Sequence, residues 1–201
     1  MGDGMEFDME LNKIRVVLAS KSPRRRQLLG GIIPDFEIIT METDETLPEG
    51  MHPLKGVGVL AERKGEAVAR TLPEDALVIS SDTLVELDGV PLGKPESEAD
   101  ALRMLMTLSG RTHNVHTGVC VHYKGRVYTG VDTAHVSFRT LTESEALEYI
   151  ATGEPMDKAG SYAIQGGAAK FISGFEGDYN AIVGLGLGLT ERLIREAVEN
   201  D

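Results

Sequence analysis

Apolar and polar positions first fall into a regular pattern at Ile14 to Ala19 (IRVVLA), a β-branched run of buried-strand type. SKSPRRRQLLGG follows at once. In it Ser22 suits an N-cap, Pro23 the first helical position, and Gly30 with Gly31 the stop after Leu28 and Leu29. Asp35 to Thr40 (DFEIIT) predicts a second strand, and Leu54 to Arg70 a helix with Val57, Leu60, Ala61, Ala67 and Val68 among its apolar positions. Ala76 to Ser80 (ALVIS) predicts a short buried strand that ends in Ser81-Asp82-Thr83, with the turn-rich DGVPLGKP beyond it. Ser97 with Asp100 and Thr142 with Glu145 have capping-box spacing and open helices that run to Leu108 and Thr152. Between those helices, VHTGVCVHY and RVYTGVDTAHVSF flank Lys124-Gly125 as a hairpin. A long Gly-rich stretch precedes Thr190, which is expected to cap the terminal helix ERLIREAVEN. Strands alternate with helices and a hairpin interrupts them, so the expected class is α/β with a mixed sheet. Residues 1–12, with four acids and little periodicity, are read as a loose leader, and 13–201 as one domain.

Composition narrows the function. The 201 residues hold 32 acids against 20 Lys and Arg, a formal net charge of −12, which disfavours a nucleic-acid coat or a membrane-adsorbed protein. A local cationic pocket remains compatible with that excess. One cysteine, Cys120, allows no internal disulfide, and MGDGMEFDME has neither the basic start nor the apolar run of a secretory signal, so the expected location is cytoplasmic. No stretch approaches the roughly 18 consecutive apolar residues of a membrane helix.

The chemistry gathers at few places. Lys21, Arg24, Arg25 and Arg26 crowd the mouth of the first predicted helix, where free N–H groups already favour an anion; the segment reads either as an anion site or as a solvated basic turn. Asp82, at the exit of a buried strand, reads either as a catalytic carboxylate or as a turn cap. Lys64 and Lys94 are undistinguished in isolation. His113 and His116, three apart on a predicted strand, face opposite sides and cannot chelate together. Cys120 lies inside an alternating strand and no GxSxG occurs, which leaves an anion pocket beside carboxylates, suited to hard cations such as Mg²⁺ or Mn²⁺.

Five ordered segments, LASKSPRRRQLL, SSDTLVELDGVPLGKP, LSGRTHNVHTGV, GEPMDKAGSYAIQGGAAKFI and GDYNAIVGLGL, resemble the Maf family of nucleotide pyrophosphatases. The resemblance spans about Ile14 to Leu187. It implies an elongated mixed sheet with flanking helices and two lobes around a nucleotide-binding cleft, as in inosine triphosphatase-like folds, with dimers common. It also implies hydrolysis of a nucleoside triphosphate to monophosphate and pyrophosphate with a divalent metal, Mg²⁺, Mn²⁺ or Co²⁺. Ser20, Arg24 and Arg25 match the phosphate-binding residues, as do Lys64 and Lys94. Glu45 and Asp82 match the acids that bind metal and activate water, in roles that could be exchanged, with Asp82 taken as general base. Thr83 would orient the water or the base edge. Gln165 matches the glutamine of the subgroup acting on dTTP and UTP, so a housecleaning pyrophosphatase for those nucleotides, with modified pyrimidine nucleotides as further candidate substrates, is the leading expectation. The alternatives are a 7-methyl-GTP or other modified-purine pyrophosphatase and a non-catalytic nucleotide sensor in division control. Gly186 stands where the family usually has proline and is expected to loosen a turn, while Met156 and Ala163 depart from the usual pocket wall.

Overall fold

The computed structural model describes residues 11–199; of the expected leader, residues 1–10 lie outside the described residues, and Leu11 packs half-buried against the core. Strand β1 (Val16–Leu18) leads into helix α1 (Pro23–Gly30), where the Ser22 hydroxyl accepts from the Arg25 N–H as its sequence position predicts. After β2 (Glu37–Ile38) a long loop enters α2 (Pro53–Ala69), capped by His52, whose Nδ1 accepts from the Leu54 N–H. Strands β3 (Leu77–Leu87) and β4 (Val90–Leu92) then precede α3 (Glu98–Leu108). The hairpin β5 (Thr112–Tyr123) and β6 (Arg126–Phe138) turns on Lys124 and Gly125, both at positive φ, the pairing the two-residue turn requires. Helix α4 (Glu143–Ile150) opens with the complete capping box of Thr142 and Glu145. Three 3₁₀ turns, strand β7 (Ile172–Glu176), the short α5 (Tyr179–Val183) and α6 (Leu187–Glu199) complete the described chain.

The seven strands form one mixed sheet in the order β2-β1-β3-β5-β6-β7, with β1 parallel to β2 and β3 and the remaining pairs antiparallel; β4 also pairs with β3. Besides a small cluster of Val17, Ala19, Val68 and Val78, two large apolar cores lie along the long strands. Leu77, Ile79, Val119 and Val121 belong to one, with α6 over them, and Val85, Leu87 and Val115 to the other, with α3 and α4. These two cores share β3 and β5 as a common spine.

Two expectations are corrected. The strand expected to end at Ser80 continues to Leu87, so Asp82 sits in mid-strand. The polar Ser80 to Thr83 stretch masks the strand, but β5 pairs alongside from Val78 to Glu86 and supplies the ladder bonds that sequence cannot reveal. Thr190 does not cap the last helix; it lies in its first turns, fully buried, donating from Oγ1 to the Gly186 carbonyl at 2.7 Å. Leu185, Leu189 and Leu193 bury into the core there, and that burial outweighs the poor helix propensity of Gly188. Gly186 is buried, and an added Cβ would meet the Asp132 carboxylate at 2.0 Å, so the missing side chain makes room for an acid.

Candidate active site

The site follows from an interruption in the sheet. On its outer edge β3 pairs with β1 only through Leu77 to Ile79 and with β4 only through Val85 to Leu87. Between them Ser80 to Leu84 have β5 on one side and no strand on the other. The chain leaving β1 is the basic SKSPRR segment and the chain leaving β4 carries Lys94, so both cationic loops flank the same gap. A cleft of about 840 Å³ opens there, within the size range of small-molecule sites. Its lining includes Ser20, Arg24, Arg25, Glu45, Lys64, Asp82, Thr83, Lys94 and Gln165, all nine residues expected from sequence.

Alternation along β3 sends Asp82 and Thr83 to opposite faces. Asp82 faces α2, where Lys64 Nζ reaches its Oδ1 at 2.5 Å and Glu45 Oε1 at 2.8 Å. α2 can lie this close because it meets the sheet through glycines. A Cβ on Gly65 would come within 2.5 Å of the Ser80 hydroxyl, and one on Gly118 within 2.6 Å of the Val57 carbonyl. The Glu45 loop has no regular structure; Arg63 of α2 holds it by donating to the carbonyls of Asp44 at 3.3 Å and Thr46 at 2.7 Å. The hydrogen bond from Lys64 draws the Glu45 carboxyl below its ordinary pKa, against a smaller opposing effect of partial burial.

On the opposite face, Arg25 Nε donates to the Gly184 carbonyl at 2.8 Å and Nη2 to Thr83 Oγ1 at 3.1 Å. Ser81 Oγ donates to that same carbonyl at 2.9 Å. Thr83 shares a 3.0 Å bond with Thr117, whose hydroxyl donates onward to the Ala181 carbonyl at 2.7 Å. This partly buried row holds the Arg25 guanidinium in place. Desolvation pushes the Arg25 guanidinium down from its ordinary pKa, and Asp82 partly offsets it. Ser20 is buried at the loop start, its Oγ accepting from the Ser22 N–H at 3.2 Å. Lys94 and Gln165 are exposed on the far wall. Arg26 turns away and lines a separate shallow groove with Pro34 and Phe36.

Three residues of this arrangement escape sequence reasoning. Arg63 and Thr117 act through tertiary hydrogen bonds that carry no local signal. Lys158, which also lines the cleft, stands in the DKAG segment beside Gln165, and only that proximity could have marked it. Histidine and cysteine chemistry stays outside. His113 turns to Tyr162 and His116 to Glu86, on opposite sides of β5, and burial pushes the Cys120 thiol up to about 12, far from a nucleophile. Among the described residues no three His, Cys, Asp or Glu side chains cluster as metal ligands, and no helix is long and apolar enough to cross a membrane.

The described residues thus form a mixed α/β fold with a gap in its sheet, two carboxylates converging on one lysine and further cations, Arg24, Arg25 and Lys94, along the same cleft. The chain belongs to the Maf family: the family described as Maf-like protein matches residues 15–197. The dTTP/UTP pyrophosphatase of Pelotomaculum thermopropionicum is 48% identical over 183 residues, 90% of this chain and 95% of that protein. A protein of the same name from Moorella thermoacetica is 49% identical over 182 residues, 90% of this chain and 93% of that one. The solved structure of a HAM1 protein from Coxiella burnetii aligns with 92% of this chain and 100% of its own at a TM-score of 0.45 and 13% identity.

Proposed function

We propose that this chain is a nucleoside triphosphate pyrophosphatase acting on dTTP and UTP. Relatives of that name match it along nearly their whole length, and the cleft holds a cationic ring around an acid pair. In the reaction, water breaks the link between the α- and β-phosphates and yields the monophosphate and pyrophosphate. Arg24, Arg25, Lys64 and Lys94 neutralise the phosphates, and Arg25, already desolvated and braced by Thr83, needs no reorganisation to do so. Asp82 takes the water proton, general-base work that contributes about 10²- to 10⁴-fold. Glu45 and Asp82 would hold a divalent metal. They fit one, because their Oε1 and Oδ1 atoms already converge on a single cation, the Lys64 ammonium. Two carboxylates with substrate phosphates and water suit Mg²⁺, Mn²⁺ or Co²⁺, which when bound would lower the pKa of a water and neutralise charge on the phosphates. Gln165 offers an amide donor to O4 and an acceptor to N3–H of uracil or thymine.

Pyrophosphate release from a nucleotide panel with Mg²⁺, Mn²⁺ or Co²⁺ tests the reading. UTP and dTTP should be turned over in preference to 7-methyl-GTP. Binding without turnover under every metal would reassign the protein as a nucleotide sensor, and a purine preference would overturn the role given to Gln165.

A further inference from the structure

The cleft wall facing α1 carries one cation that the reaction as described does not use. Lys158 has a covered stem, its side chain only 12% exposed, while Asp157, which pairs with its ammonium, is 75% exposed at the rim. The Glu154 carbonyl lies 3.5 Å from the same nitrogen. Lys158 is extended between two 3₁₀ turns, Glu154–Asp157 and Ala159–Ser161. Its surroundings are braced. Gly160 N–H donates to the Gly93 carbonyl at 3.0 Å, tying the segment to the residue before Lys94. Gly160 and Ser161 both have positive φ, and Ser161 is fully buried; a side chain holds that conformation only where packing over-determines it. Ser161 Oγ donates to Met104 Sδ at 3.1 Å, and the Val85 methyls stand 3.0 Å from where a Gly160 Cβ would lie. The segments that carry Lys94 and Lys158 are thus hydrogen-bonded to each other, and both lysines line the same cleft as the arginines. The Asp157 carboxyl is held below the ordinary range first by its hydrogen bond from Lys158 and further by Arg24 across the cleft.

We propose that Lys158 is a substrate-binding residue that exchanges the Asp157 carboxylate for a phosphate oxygen of the incoming triphosphate, Asp157 serving in the free protein as a stand-in anion between Lys158 and Arg24. The proposal rests on the reading of the cleft as a polyphosphate site. The exchange breaks no covalent bond. It explains why a lysine with a covered stem keeps its carboxylate partner at the solvent edge, where an anionic ligand can displace it.

The test measures binding of inorganic tripolyphosphate by calorimetry without added metal, and KM and kcat for UTP, in the wild type, Lys158→Met, Lys158→Arg and Asp157→Asn, with thermal unfolding recorded for each. Lys158→Met should weaken tripolyphosphate binding by about tenfold to a hundredfold, as expected for a lost charge-assisted bond, and raise KM more than it lowers kcat. Lys158→Arg should stay within about threefold of the wild type, since a point charge suffices. Asp157→Asn, which removes the competing carboxylate, should tighten binding by about two- to fivefold. That gain is a result no structural ion pair would produce, and it decides the matter if Lys158→Met does not fold. Unchanged binding in Lys158→Met, weakened binding in Asp157→Asn, or a wild type that does not bind tripolyphosphate would each overturn the proposal. A wild type that binds tripolyphosphate with these contrasts yet hydrolyses no nucleotide would overturn the proposed function and leave Lys158 in place.

Discussion

Replacing Lys64 by Met would leave Asp82 and Glu45 facing each other with their shared cation gone. Lys64 is 2.5 Å from Asp82 and 2.8 Å from Glu45, with side-chain exposures of 19%, 12% and 55% respectively. Breaking a fully buried pair costs about 3–5 kcal/mol and an exposed one about 0–1. With one carboxylate covered and one open, the expected loss is about 1–3 kcal/mol, or about 2–12 °C in Tm for a chain of this size. Its pH dependence has a definite sign. Lys64 lowers the pKa of Glu45 from 4.5, so the stabilisation is complete above that ordinary value and is lost as pH falls through the lower folded one. The gap between wild type and Lys64→Met should therefore be full above about pH 5 and narrow under acid. Urea unfolding from pH 3 to 8 measures it. Millimolar Mg²⁺ should also raise the Tm of the variant more than that of the wild type, because no lysine competes for the acid pair. A gap that does not change with pH, or an equal response of both proteins to Mg²⁺, would refute the account of Lys64 as the resident cation between two carboxylates.

Asp82→Asn should lower turnover of UTP by about 10²- to 10⁴-fold while nucleotide binding stays measurable; near-normal turnover would place the base elsewhere. Gln165→Glu, which keeps the size but loses the donor, should cut kcat/KM for UTP by about 10- to 100-fold, and an unchanged value would remove the residue from base recognition. Thr117→Val breaks the bonds to Thr83 and Ala181. It should cost about 1–3 kcal/mol of stability by chemical denaturation and raise KM through Arg25. Gly186→Ala should cost less than about 1 kcal/mol, because the added methyl meets the end of the Asp132 side chain, which can rotate aside, and in a double-mutant cycle Asp132→Ala should remove what loss there is.

Where a side chain bonds to backbone a few residues away, the element could be read before any fold was known. Ser22 caps α1, Thr142 and Glu145 box α4, and Lys124-Gly125 turns the β5–β6 hairpin. The same local reading went astray at Thr190, where burial of Leu189 and Leu193 extends the helix past a good cap, and at Asp82, where a strand partner more than thirty residues away in sequence continues β3.

The sequence by itself determined the class, the alternation of strands and helices, the basic start of α1 and, through the motifs it shares with the Maf family, the identities of nine cleft residues. What it did not contain is how they meet. Lys64 finds Asp82 across 18 positions and Arg25 finds the Gly184 carbonyl across 159, and no local pattern encodes either contact. Only the sheet decided that β1 and β4 stop short of each other on β3, leaving Asp82 and Thr83 in a gap between two basic loops. Only packing through Gly65 and Gly118 brought α2 near enough for one ammonium to serve two carboxylates. The physical reason is that a cap or a turn is settled by bonds its own residues make, whereas a charged site needs its partners held together against their hydration and chain entropy, and only a packed core supplies that hold.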